Sequence, residues 1–307
     1  MYNSLVISVI IPVLNSEKTI AEAIASVVNQ TYADWELIVV DGGSTDRTIE
    51  ITEKFTKCDN RIKICSRMGM KEYEAINYGI KIARGDIIGI LNSDDYYDNK
   101  AFERVAEIFS GDSTLDVICP KVRVVVDYGD RIVTEKVVQA DLDFYNIVFY
   151  APYEPARFFR KRVFDKIGLI DESYRYAGER ELLIRMSLRR DINWIKIPDI
   201  LYIYRRHPGS GTSSLDRYSA LRYLPEHYKM FKKLLASGLL NHEQRKAVKQ
   251  RWLNDSISGF LMSLKKGDFK KAAFFLTRGV EINHSWPVTL LNKKITYYTS
   301  IRIKAIA

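Results

Sequence analysis

The chain has 307 residues, 47% of them apolar and 28% charged, the balance of a globular protein with one large domain or a domain and an appendage. It contains no run of about 18 apolar residues, which argues against a spanning helix, and Cys58, Cys65 and Cys119 show neither metal nor disulfide spacing. The net charge of +9 belongs to the C-terminal third: residues 1–217 hold 30 basic and 33 acidic side chains, residues 218–307 hold 17 and 5.

Residues 5–14 read as a buried strand. Ser16 is the expected N-cap of a helix over Glu17 to Asn29, where Ile20, Ala23, Ile24, Val27 and Val28 recur at helical spacing. Trp35 to Val40 is a second strand, running into Asp41-Gly42-Gly43-Ser44-Thr45-Asp46, and a helix follows to about Lys57. Arg61 to Cys65 is a third strand, Tyr73 to Ala83 a helix and Ile87 to Asn92 a fourth strand. Strands alternating with helices of this length predict βαβ units and a parallel sheet. Continuous apolar runs such as Ile87-Ile88-Gly89-Ile90-Leu91 suit strands covered on both faces. A helix is expected over Asn99 to Phe109. A hairpin follows from Asp116 to Val126 and Arg131 to Val138, across Asp127-Tyr128-Gly129-Asp130. Arg157 to Arg160 is a short strand, Ala177 to Arg189 a helix, and Ile192 to Ile203 contains extended pieces. Beyond about Leu215 the pattern is helical, with Leu264-Lys265-Lys266-Gly267-Asp268-Phe269 as a tight link between two helices. The expected organisation is an α/β domain over 1–215 and a basic helical region over 216–307.

Two acidic clusters fall at strand ends: Asp41 after the second strand, Asp94 and Asp95 after the fourth. In open parallel sheets ligands bind outside those ends. Converging carboxylates repel unless a cation neutralises them. Mg²⁺ or Mn²⁺, which takes one or two carboxylates and completes its shell with phosphates and water, would do so. The alternative is a helix N-terminus decorated with acids.

The ordered set I-S-V-I-I-P-V-L-N (7–15), N-Q-T-Y-A-D-W-E-L-I-V-V-D-G-G-S-T-D-R-T (29–48), A-I-N-Y-G-I-K-I-A-R-G-D-I-I-G-I-L-N-S-D-D (75–95) and I-D-E-S-Y (170–174) resembles the family-2 glycosyltransferases. The resemblance implies the GT-A fold, a Rossmann-like, mostly parallel sheet with flanking helices. It also implies an inverting, Mn²⁺- or Mg²⁺-dependent transfer from a nucleotide-sugar, UDP-linked by family prior. The acceptor would be a saccharide or lipid-linked saccharide of bacterial surface polysaccharide. By this resemblance Pro12, Val13 and Asn15 lie beside the base. Asp41 keeps the first of two acids usual in the family, and Gly42 stands where the second would be. Asn92 and Asp94 lie near the donor, with Asp94 at the ribose and Asp95 as the metal ligand. Where similar relatives carry Asp-Lys-Gly, this chain has Gly69-Met70-Lys71, and Lys71 is the phosphate candidate. Asn77 reads as a capping or packing polar. Glu179, in A-G-E-R-E-L-L-I-R, falls on the base position, with Glu181 second. In Y-R-R-H-P-G-S-G-T-S (204–213), Arg205 and Arg206 would close over the diphosphate and His207 would join the metal.

A nicotinamide enzyme would need G-x-G-x-x-G after the first strand, where this chain has P-V-L-N, and no P-loop occurs. A non-catalytic nucleotide-binding or scaffold protein of the same fold is the rival class. Residues 287–307 mix Leu, Ile and Tyr with Lys293, Lys294, Arg302 and Lys304. They suit either helix packing or peripheral contact with an anionic membrane. No nucleic-acid motif accompanies the charge. The N-terminus lacks a signal peptide's basic region, and the scattered cysteines fit a cytoplasmic setting.

Overall fold

The computed structural model describes residues 5–150, 154–207 and 218–286, and the chain divides into two compact units, Met1–Leu215 and Asp216–Ala307. The first unit opens with β1 (Ile7–Val13), α1 (Ile20–Val28), β2 (Trp35–Asp41), α2 (Thr48–Cys58), β3 (Ile62–Ser66), α3 (Glu72–Ile82) and β4 (Ile87–Ile90). These strands lie in the order β3-β2-β1-β4, all parallel. Every residue of β1, β2 and β4 is buried, which is why they read as unbroken apolar runs. On α1, Ile20, Ala23, Ile24 and Val27 face inward at helical spacing.

The rest of the sheet is mixed. It comprises β5 (Tyr96–Tyr97), α4 (Ala101–Gly111), β6 (Val117–Asp127), β7 (Ile132–Gln139), α5 (Phe144–Phe149), β8 (Phe158–Arg160), α6 (Arg162–Ile167), α7 (Gly178–Ser187) and β9 (Trp194–Arg206). The order continues β4-β8-β6-β9-β5, with β7 paired on β6. Only β6 and β9 run parallel there; the β4–β8, β6–β8, β6–β7 and β5–β9 pairs are antiparallel. The two-residue β5 and the six-residue α5 and α6 were not expected, being too short to show a period.

Pro12 sits inside a central strand, an uncommon position for a residue without an N–H. The Ile10 carbonyl accepts from Leu91 N at 2.9 Å, so Pro12, two residues on, faces the same side. The β1–β4 register stops at Ile10 and Ile90. No ladder bond is lost, and β4's chain is released there into Asn92–Asp95.

The second unit consists of α8 (Ala220–Ala236), α9 (His242–Lys266) and α10 (Phe269–Ile282). Leu221, Leu224 and Phe275 form its core cluster, Trp252 Nε1 donates to the Arg278 carbonyl at 2.9 Å, and His227 and Asp255 form a buried pair at 2.8 Å. Asp255 is held below the usual carboxylate range: burial pushes it up, but His227 and Arg251 outweigh that. No helix among the described residues is long and apolar enough to cross a membrane.

Candidate active site

Three loops meet where β1, β2 and β4 end, and side chains stitch them together. Asn15, in the left-handed region at φ 52°, donates its N–H to Ser44 Oγ at 2.9 Å and accepts from Thr45 N at 2.8 Å. Ser16 N donates to Thr48 Oγ1 at 2.7 Å, and the Ser16 and Ser93 hydroxyls lie 2.8 Å apart. Ser16 is therefore a loop tie and not the N-cap; α1 begins at Ile20, with Thr19 in the cap position and no side-chain cap bond. Pro12 and Val13 are buried in β1, while Leu14 is 56% exposed at the rim.

Asp41 is 2% exposed. Its carboxylate accepts from Gly43 N at 2.9 Å, Ser44 N at 3.1 Å and Ser44 Oγ at 2.5 Å, so it holds the turn that follows β2. Its carbonyl accepts from Arg67 N, and that of Gly42 from Gly69 N, both at 2.9 Å. The loop after β3 thereby closes over Gly42 and Gly43. A Cβ at Gly42 would lie 2.5 Å from the Met70 carbonyl oxygen, a distance no side chain tolerates. The missing second acid is thus a steric requirement of the 66–70 loop. Gly42→Ala is expected to displace that loop, lowering stability by about 1–3 kcal/mol, as measured by thermal unfolding. Lys71 lies exposed at the cap of α3, its N–H bonded to Glu74 at 3.0 Å.

The two acids after β4 occupy opposite surroundings. Asp95 is 1% exposed and accepts from Tyr202 Oη at 2.6 Å, Arg205 N at 2.7 Å and Asn92 Nδ2 at 3.2 Å. Burial, then the charge of Asp94, push its carboxyl well above the usual range against those three donors. Asp94 is the half-exposed member, and its Oδ2 lies 3.0 Å from His207 Nε2, with side-chain exposures of 27% and 25%. Asp95, expected at the metal, has both of its oxygens engaged within the protein and is shut off from solvent. Asn92 is one of its donors.

The pairing of Tyr96 with Ile203 and Tyr97 with Tyr202 explains how residues 113 apart in sequence meet. It lays the Asp94–Asp95 loop along the last residues of β9. Arg205, expected over the diphosphate, is 5% exposed. Its guanidinium bonds Glu22 on the first turn of α1 and lies 3.7 Å from Asp127, as a buried cation must be paired. Arg206 bonds Glu135 at 2.7 Å.

Asn77 has the packing role. It donates to the Ile170 carbonyl at 2.8 Å and to Glu172 at 2.9 Å, and accepts from Ile170 N at 3.0 Å. α3 is thereby fastened to the segment that leads into α7. A Cβ at Gly178 would lie 2.6 Å from the Tyr73 ring, so the first turn of α7 packs against that of α3. Glu179 is thus brought to the same end of the sheet as the strand-end loops. Glu181 is turned to another use: both of its oxygens take Arg185 Nε at 2.9 Å, and Arg185 bonds the carbonyls of Ile167 and Leu169. The glycine-serine stretch at 209–211 lies outside the described residues.

Asp94 and His207 fit a small divalent cation. Two ligands about 2.1 Å from one ion at right angles stand about 3 Å apart, as these atoms do. No group of three or more His, Cys, Asp or Glu side chains suited to a metal occurs among the described residues.

Residues 8–182 match the sequence model of Glycosyl transferase family 2. The chain belongs to that family. The uncharacterized glycosyltransferase EpsJ of Bacillus subtilis (strain 168) is 31% identical over 218 residues, 67% of this chain and 62% of EpsJ. GlyG, a glycosyltransferase of Streptococcus pneumoniae serotype 4, is 39% identical over 90 residues, 29% of this chain and 30% of GlyG. The chain thus matches less than two thirds of the length of these relatives. Residues 1–349 of S. aureus TarS in complex with UDP-GlcNAc superpose with a TM-score of 0.64 at 17% identity, covering 92% of each chain. The mannosyltransferase PcManGT of Pyrobaculum calidifontis, in complex with GDP-Man and Mn²⁺, gives 0.59 at 14%, covering 98% and 84%. This family-2 member has the GT-A fold, a mixed sheet with flanking helices, followed in the chain by a helical C-terminal region.

Proposed function

We propose that this family-2 protein is an inverting glycosyltransferase. Its donor is a nucleoside-diphosphate sugar, UDP-linked as the first candidate. Its acceptor is a saccharide or lipid-linked saccharide of a surface polysaccharide. The carrying observation is the half-exposed Asp94–His207 pair at 3.0 Å, beside loops tied by Asn15, Ser16 and Ser93. The donors named with TarS and PcManGT and the glycosyltransferase relatives support the class.

Asp94 and His207 would hold Mn²⁺ or Mg²⁺, and the cation, when bound, would offset the charge gathering on the departing diphosphate. Glu179 is the base. It takes the proton of the acceptor hydroxyl as that oxygen attacks the anomeric carbon. The bond to the diphosphate breaks, and the leaving group departs with its electron pair. Attack opposite the leaving group inverts the anomeric centre without a covalent intermediate. Asp95, Tyr202 and Arg205 keep the Asp94 loop against the end of β9, and Asp41 keeps the turn beside Asn15.

The test is thermal stabilisation by UDP-GlcNAc, UDP-glucose, UDP-galactose and GDP-mannose, each with and without Mn²⁺. A shift that needs both metal and one of these donors, with slow release of the matching nucleoside diphosphate, is the expected result. Metal-independent binding without turnover would favour the scaffold reading instead.

A further inference from the structure

The turn between α9 and α10 combines features that a solvated helix hairpin does not need. Gly267 takes the left-handed conformation at φ 76°, Asp268 N donates to the Ser263 carbonyl at 2.9 Å, and the Asp268 side chain caps α10 by accepting from Lys271 N at 3.0 Å. The apex is therefore fixed by main-chain geometry. On it Phe269 is 72% exposed and Leu264 40%. Behind the apex the hairpin closes on itself: Phe275 and Ala272 are buried, and Phe275 packs against Gly259.

Four exposed lysines flank the two apolar side chains, Lys265 and Lys266 ending α9, Lys270 and Lys271 opening α10. Asp268, 4.0 Å from Lys271 Nζ, is the one acid among them. The wider unit repeats the bias, with 13 basic and 5 acidic residues over 218–286. A scattered exposed leucine needs no explanation. A fixed apex that presents a phenylalanine between two pairs of exposed lysines has the chemistry of an interfacial anchor: the aromatic ring enters the headgroup boundary while ammonium groups meet anionic lipid.

We propose that the α9–α10 apex docks the protein on an anionic lipid surface, with Phe269 as the inserted group and the four lysines as its electrostatic collar. Charge complementarity selects the lipid class, and the exposed ring selects a bilayer over a purely acidic polymer. This assignment is independent of the glycosyl-transfer reading. It is also distinct from residues 287–307, the stretch the sequence suggested for membrane contact, which lies outside the described residues.

The test is co-sedimentation of the full chain with vesicles of phosphatidylcholine, with and without phosphatidylglycerol. Binding is expected to require phosphatidylglycerol and to weaken with salt. Phe269→Ser is expected to lower the partition coefficient about tenfold. Each lysine-to-glutamate change at the apex is expected to lower it about fivefold or more. Leu239, 67% exposed, lies before α9 and so about 36 Å from the apex, given 1.5 Å of rise per residue. Leu239→Ser is expected to leave binding unchanged, which separates the apex from general surface apolarity. Unaltered binding in Phe269→Ser and in the fourfold lysine variant, both with wild-type circular dichroism, would overturn the proposal. Equal binding by Phe269→Ser together with displacement by polyglutamate would also overturn it and identify an acidic polymer as the partner.

Discussion

Asp94→Asn is expected to lower the transfer rate about 10²–10³-fold and to abolish the Mn²⁺-dependent part of donor stabilisation, while the melting temperature of the free protein stays unchanged. The carboxylate is half exposed and lies against His207 alone among the described contacts, so its loss leaves no buried donor unsatisfied. Asp95→Ala should behave in the opposite way. It strands the Tyr202 hydroxyl, the Arg205 N–H and the Asn92 amide in the interior, and such orphaned groups cost about 3 kcal/mol together, or about 10 °C in melting temperature for a domain of this size. Activity would fall in both variants, so the melting curve is what separates them. If Asp95→Asn keeps its melting temperature and loses the metal response, while Asp94→Asn keeps both, then Asp95 is the ligand after all.

Glu179→Gln is expected to lower kcat about 10²–10⁴-fold with donor affinity intact, because the amide keeps the size of the side chain and removes the proton acceptor. Glu181→Gln tests the neighbouring carboxylate. Its pair with Arg185 is 12% and 28% exposed and braces the Ile167 and Leu169 carbonyls, so the expected effect is about 1 kcal/mol of stability with kcat nearly unchanged. Single-turnover measurement of sugar transfer beside donor binding distinguishes the two. Equal kcat values for both variants would remove Glu179 from the base role.

The parallel half of the sheet was legible because β1, β2 and β4 are continuous buried runs and its first three strands are each followed by a helix. Asp41 and Asp94-Asp95 were legible as strand-end acids for the same reason. The division of labour between the acids was not, since adjacent aspartates look alike in sequence. What separates them is the two-residue β5, which pairs with β9 across more than a hundred residues and turns one acid inward and the other out. The ion pairs of Arg205 were hidden for a related reason: Glu22 and Asp127 lie on α1 and β6, far away in the chain. Gly42 looked like a lost acid until the Met70 carbonyl was found in the space a side chain would need.

The separation of Asp94 from His207 also bears on synthesis. The residues of the strand-end loops have all emerged from the ribosome by residue 95, but the partner of Asp94 arrives 113 residues after it. It is held there by the long-range β6–β9 and β5–β9 pairings, which form slowly because distant segments must first be brought together. A nascent or prematurely terminated chain ending before residue 207 would therefore carry the loops after β1 and β2 without the partner of Asp94, and on the proposed reading it would lack one of the two side chains offered to the cation. It would be inert toward the cell's pool of activated sugars until the last strand of the sheet has docked.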